Sequence, residues 1–239
     1  IYMVDAATGA LKWSLAPSGG TTAFSGVDSI PSSIATLDAN GDGLVDRLYT
    51  GDSGGNVWRI DMPDKSPIDS NNPWTVFKLA EFGGTSNTLD RRFFKEAITD
   101  EDGNESKVIS QHEKPYDAVL IGSGDRSNPL GEDTADTLFM IKDVNIRSQS
   151  FSGSTTPPTP STITIGDLYN YTNNPFGQTL TTTARETLEI AVSKKSGWYV
   201  SLDDDGEKSS SSAIVINGVA YFTSFIPPSI PLPDGLLVT

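Results

Sequence analysis

Apolar residues along this chain alternate with polar ones in short runs, and the three-to-four spacing of an amphipathic helix is scarce, so the pattern predicts strands. Tyr2-Met3-Val4-Asp5 reads as an apolar strand ending in Asp. The run Ala6-Ala7-Thr8-Gly9-Ala10-Leu11-Lys12-Trp13 reads as a Thr-Gly turn and a second strand. An Asp at a strand end can accept hydrogen bonds from turn amides, and Gly supplies the special φ. Related units recur at Gly54-Gly55-Asn56-Val57-Trp58-Arg59-Ile60-Asp61 and at Thr137-Leu138-Phe139-Met140-Ile141-Lys142-Asp143. A further strand pair is expected over residues 212–223, where Asn217-Gly218 is a two-residue hairpin turn signal. One modest helix is expected over Thr183 to Lys194.

These units are not evenly spaced. Asp5 and Asp61 lie 56 positions apart, and Asp61 and Asp143 lie 82 apart, whereas a strict repeat protein keeps one period. Irregular blades with long insertions account for this better. The Ser-, Thr- and Pro-rich stretch from Gln149 to Thr164 reads as a mobile insertion. Residues 100–105 (Asp-Glu-Asp-Gly-Asn-Glu) and 203–207 (Asp-Asp-Asp-Gly-Glu) read as solvated acidic turns. The expected fold is all-β: a modified β-propeller with irregular blades over residues 1–226, a fragment of a longer protein, followed by a Pro-rich tail over 227–239. A two-sheet sandwich is the competing architecture. Trp13, Trp58, Trp74 and Trp198 are expected to pack blades, and Arg126 to be structural.

One loop carries chemistry. In Asp38-Ala39-Asn40-Gly41-Asp42-Gly43-Leu44-Val45-Asp46, oxygen-bearing side chains fall at positions one, three, five and nine, and glycines at four and six. A Ca²⁺ ion takes six to eight oxygen ligands at roughly 2.3–2.6 Å. Alternate residues converge on one point only if the backbone turns sharply, which Gly permits. The expected ligands are the side chains of Asp38, Asn40, Asp42 and Asp46 and the backbone carbonyl of Leu44. The loop is not an EF-hand, because its twelfth position is Tyr49 and not Glu. The residues that follow, Arg47 to Gly51, read as a strand, so the loop is expected to join two strands.

Composition narrows the partners. The formal net charge is −14, from 31 acidic and 17 basic residues, which argues against nucleic acid as a partner, since phosphate backbones need a basic face. It suits a secreted or cell-surface protein. There is no cysteine, which excludes disulfides and thiol chemistry. The lone histidine, His112, lies in a polar stretch and is expected to be solvated. No run of 18 apolar residues is present, so no membrane-spanning helix is expected.

Four stretches resemble the C-terminal propeller domain of the PilY1/PilC family of type IV pilus-associated adhesins. They are the Asp38–Asp46 loop running into Tyr49-Thr50-Gly51-Asp52-Ser53-Gly54-Gly55-Asn56-Val57-Trp58-Arg59-Ile60-Asp61; Arg91-Arg92-Phe93-Phe94; Val119 to Leu130; and Gly197-Trp198-Tyr199-Val200 through Phe225. The resemblance implies a β-propeller at the pilus tip or bacterial outer surface. It implies one Ca²⁺ on the five ligands just named and a role in pilus extension, retraction and twitching motility. Implied partners are pilus subunits or minor pilins and the host-cell surface. No Arg-Gly-Asp tripeptide is present, so integrin attachment does not carry over. The competing functions are a quinoprotein-type dehydrogenase propeller and an integrin-like FG-GAP propeller, which would repeat the ion loop in several blades.

Overall fold

The computed structural model describes residues 1–83, 91–93, 98–100 (backbone only), 114–152 and 157–228. His112, Phe94, the acidic stretch after Asp100 and the tail beyond residue 228 lie outside the described residues.

The described residues are mostly strand. A three-stranded sheet opens the chain: β1 (Tyr2–Val4), β2 (Leu11–Ala16) and β3 (Thr22–Ala23). An antiparallel meander follows, β4 (Ala35–Leu37), β5 (Arg47–Gly51), β6 (Asn56–Asp61) and β7 (Thr75–Glu81). A second meander comprises β8 (Ile98–Asp100), β9 (Asp117–Gly122), β10 (Thr137–Asp143) and, later in the chain, β13 (Gly197–Ser201). Between β10 and β13 the chain supplies two short strands, β11 (Ile163–Thr164) and β12 (Tyr169–Asn170). The first adds parallel to β7 and the second parallel to β13, so one eight-residue segment closes the edges of both meanders. A helix, α1 (Thr182–Ser193), precedes β13, and Thr181 caps it by accepting from the Ala184 amide. Two small pairs end the chain: β14 (Lys208–Ser209) with β17 (Ser224–Phe225), and the hairpin β15 (Ile214–Ile216)–β16 (Val219–Tyr221).

The sheets pack in a row, and the period-two side-chain rule explains how. Every residue of β6 is buried, because the first meander is covered on both faces. Trp58 and Ile60 join Trp13, Leu15, Phe24 and Trp74 against the opening sheet. Val57 faces the other way, into the main core with Tyr49, Phe77, Ile121 and Phe139 of the two meanders. Phe82 and Phe139 stack there at 4.2 Å. The far face of the second meander packs Leu120, Met140 and Trp198 against the β15–β16 hairpin.

The predicted strand units all appear, and the Asn217-Gly218 turn has positive φ at both residues, as a two-residue hairpin turn requires. The expected helix runs over Thr182–Ser193, within a residue of the expectation at each end. Three of the four tryptophans are core residues, and Trp198 packs partly buried. Arg126 is solvent-exposed. The insertion expected to be mobile is anchored at both described ends, while its residues 153–156 lie outside the described residues. Phe151 is buried in the main core, the Ser150 hydroxyl donates to the Pro73 carbonyl, and Ile163–Thr164 is a strand. Apolar residues at the insertion's two ends outweigh its polar composition. Among the described residues no sheet closes on itself into a barrel, and the fold stands as mostly-β, built from open meanders.

Candidate metal centre

The Asp38–Asp46 loop joins β4 to β5, as expected, across the register pair Leu37 and Arg47. Its base is held firmly. The Asp46 amide donates to the Leu37 carbonyl at 2.8 Å, and the Asp46 carbonyl accepts from the Met62 amide at 2.8 Å and the Ser148 hydroxyl at 2.9 Å. Above this base the loop curls on its own side chains. The Asp38 carboxylate accepts from the amides of Gly41, Asp42 and Gly43 at 2.8, 3.2 and 2.8 Å. Asn40 Oδ1 accepts from the Asp42 amide, Asp42 Oδ1 from the Leu44 amide, and Asp46 Oδ2 from the Ala39 amide. Gly41 and Gly43 sit at φ +74° and +85°, where a Cβ would be strained, so the two glycines are what lets the loop coil.

These amides shape the electrostatics. The Gly43 amide, helped by those of Gly41 and Asp42, holds the Asp38 carboxyl below its ordinary value despite opposing desolvation. Asp38 is thus kept ionised, the state a cation requires.

All five expected ligands therefore share one loop, but among the described residues no group of three or more acidic or imidazole side chains is gathered as a metal cage. Whether the loop suits Ca²⁺ rests on its donors. They are all oxygen, three are carboxylates, and an ionised carboxylate offers about four lone-pair sites. Asp42 and Asp46 each give one hydrogen bond's worth to the loop, leaving most of that capacity unspent. The donor set fits a hard cation. The loop also forms one wall of a cleft of about 490 Å³, opposite Met3, Met62 and Trp74, and exposes the side chains of Leu44 and Val45.

Directly beneath the loop lies a feature not anticipated from the sequence. Arg47 and Arg59 are completely buried. Arg47 donates to Asp117 at 2.6 Å and to the Tyr49 hydroxyl at 3.1 Å. Arg59 pairs with Asp61 at 2.5 Å and Asp143 at 2.6 Å, and the Tyr49 hydroxyl donates to Asp143 at 2.9 Å. Both guanidinium groups also donate to carbonyls of residues 145–147. Burial pushes the Asp61 carboxyl above its ordinary value, with Arg59 pulling the other way. A signal was present: Arg59 and Asp61 sit in a strand otherwise built for burial, and a charge there demands a partner. A second buried acid organises the next turn, where Asp52 accepts from the Gly54 and Asn56 amides and the Trp58 indole.

No family profile matches the chain. By class, its relatives are type IV pilus biogenesis factors. The chain is 24% identical over 255 aligned positions to the PilY1 homolog of Xylella fastidiosa, covering 95% of the chain and 15% of that protein. It is 28% identical over 268 positions to PilY1 of Pseudomonas aeruginosa strains PAO1 and PAK, covering 98% of the chain and 22% of those proteins. It shares the fold of the crystal structure of the Pseudomonas aeruginosa PilY1 C-terminal domain, with a TM-score of 0.59 at 21% identity, over 95% of this chain and 50% of that one. The resemblance carried by the sequence motifs is borne out. The chain spans at most 22% of the length of these curated relatives.

Proposed function

We propose that this chain is a calcium-binding, non-catalytic module of a type IV pilus biogenesis and adhesion protein, acting at the pilus tip or bacterial outer surface. In this reading the stacked meanders are blades of a modified β-propeller, and the ion loop regulates pilus extension, retraction and twitching motility. The observation that carries it is the similarity across 98% of the chain to factors named for type IV pilus biogenesis. The partners of the module are pilus subunits or minor pilins and the host-cell surface.

The ion would be held by Asp38, Asn40, Asp42, Asp46 and the Leu44 carbonyl. Bound Ca²⁺ supplies positive charge that offsets the mutual repulsion of three carboxylates. What the chain itself supplies is a hydrogen-bonded base and an exposed apolar wall. The base is Asp46, tied to Met62 and Ser148. The wall is the Leu44–Val45 face of the neighbouring cleft, which an ordered loop presents to a partner in one shape.

The test is Asp42→Ala at the matching position of a full-length parent in a piliated bacterium. Surface pili or twitching should change while the protein's abundance does not. Normal piliation and motility, with loss of Ca²⁺ binding established, would overturn the regulatory reading. Alcohol or sugar oxidation after addition of a quinone cofactor would instead favour the dehydrogenase reading.

A further inference from the structure

Around a cavity whose wall includes Asp143, the chain concentrates positive charge. This cavity, of about 340 Å³, is lined by Lys114, Lys142, Lys194 and Lys195. These are four of the 17 basic residues of a chain whose net charge is −14. They arrive from three places: the segment entering β9, the strand β10, and the end of α1. The junction is fixed by backbone, since the Lys142 amide donates to the Ser196 carbonyl at 2.9 Å. Lys142 is largely buried and its ammonium lies 5.1 Å from the Tyr116 ring centre. Lys195 donates to the Gly166 carbonyl at 2.8 Å. The one acid on the cavity wall, Asp143, is committed to Arg59 and Tyr49.

Helix-end chemistry accounts for only part of this. Lys194 and Lys195 complement the negative end of the α1 dipole, as cations at helix C-termini do. That explanation does not reach Lys142 or Lys114, which belong to other elements. Four ammonium groups around one small cavity repel one another, and a cleft with low-dielectric walls focuses their field. The apolar floor from Leu79 and Ile163 supplies such walls, and Ser161 and Ser196 line the same cavity with hydroxyls. Lysines act as point charges suited to phosphate, whereas planar bidentate recognition, of carboxylate or phosphate alike, favours Arg.

We infer that this cavity binds a phosphate-bearing anion with at least two negative charges. The chemistry is shared by a free polyphosphate or nucleotide and by a phosphate headgroup of a lipid. The site is separate from the ion loop and does not depend on Ca²⁺.

The experiment is calorimetric titration of the whole chain with sodium pyrophosphate in metal-free buffer, with a parallel co-sedimentation on phosphatidic acid vesicles. Lys114→Gln/Lys194→Gln removes two exposed ammonium groups and should keep a cooperative melting transition, lowered only slightly by the lost charge at the α1 C-terminus. Pyrophosphate should bind at one site, about tenfold more weakly for each ammonium removed, and Lys12→Gln on the opening sheet should have no effect. Vesicle binding lost in the same double variant would assign the source to a lipid headgroup, and pyrophosphate binding without vesicle binding would assign it to a free phosphate compound. No binding of either probe, or binding equally affected by Lys12→Gln, would overturn the inference.

Discussion

Arg59 on β6 holds the Asp143 carboxylate at the end of β10 at 2.6 Å, with both side chains fully buried. The two residues lie 84 positions apart in sequence, so the bond is a direct link between the two meanders. Arg59 also lies 5.6 Å from the Phe77 ring centre and 5.5 Å from that of Phe151, which packs its flat faces as well as its edges. Its donors reach both carboxylates and the carbonyls of Asn145 and Arg147. The connection after β10 is thereby pulled under the ion loop, where Ser148 meets the Asp46 carbonyl.

Arg59→Met should destabilise the chain by about 3–5 kcal/mol, because it strands two buried carboxylates, Asp61 and Asp143, without their cation. Against a typical total of about 5–15 kcal/mol this is a large fraction. Urea unfolding measures it. Stability of the variant should partly recover as pH falls and Asp61, whose carboxyl burial already pushes up, takes up a proton. Adding Asp143→Asn should recover part of the loss at neutral pH. A loss below about 1 kcal/mol, the scale of an exposed pair, would show that the link between the meanders rests on apolar packing instead.

Gly197→Ala should be costly for a different reason. Gly197 begins β13 at φ +138°, and a Cβ there would collide with the Met140 carbonyl oxygen on the paired strand. The backbone strain alone is worth about 1–3 kcal/mol, and the collision must push β13 away from β10. Gly9→Ala is the control. Its φ is +71° but the space around it is open, so its loss should stay near 1–2 kcal/mol. Equal denaturant midpoints for the two variants would contradict this.

Local chemistry made much of this architecture legible. The β1–β2 turn is bound by Asp5, which accepts from the Ala7 and Thr8 amides, with Gly9 at φ +71°. Short-range rules of this kind also placed the ion loop between strands, and a helix over 183–194, one residue off its observed range. What could not be read is non-local. The edge strands β11 and β12 are two residues each, too short for any alternation to register. Their existence depends on sheets formed elsewhere in the chain. Asp61 and Tyr49 stand two positions from their arginines, but the partners that join the two meanders, Asp117 and Asp143, lie 70 and 84 positions away, and nothing near the arginines names them. Of the candidate site, its place between two strands and the sharp glycine-permitted turn of its loop were legible, and its side-chain-to-amide bonds were not. The buried ion-pair floor beneath it was not.

Alkaline pH should weaken the fold through Tyr171. This residue packs among Tyr169, Phe176 and Trp198, with ring centres 5.5 to 5.9 Å away. Burial, with smaller contributions from Tyr169 and Tyr116, pushes its phenol up from 10 to about 12. A group with a raised folded-state pKa contributes stability that is complete below the unfolded value and lost as pH rises through the folded one. Stability should therefore fall from about pH 10 to about pH 12, and Tyr171→Phe should flatten that slope. Urea midpoints across this range measure it. An unchanged slope in the variant would remove Tyr171 as the cause.

Calcium should raise the melting temperature of the wild-type chain and leave that of Asp42→Ala unmoved. A ligand that binds only the native state stabilises it by mass action, about 2.7 kcal/mol at a hundred times its dissociation constant. Asp42 suits the test because its side chain serves only one loop amide, that of Leu44, and lies at the surface. The variant should keep its sheet content, since the loop base is held by Asp46, Leu37, Met62 and Ser148 and not by Asp42. Asp46→Ala should also abolish binding, with a further small loss from the uncapped Ala39 amide. Calorimetry should give a stoichiometry near one, with Mg²⁺ competing poorly because it demands stricter octahedral geometry. Two or more equivalent sites would instead favour the FG-GAP reading. A metal-free chain without cooperative melting would make the ion a requirement for folding, and would overturn its assignment as a switch on a fold that stands without it.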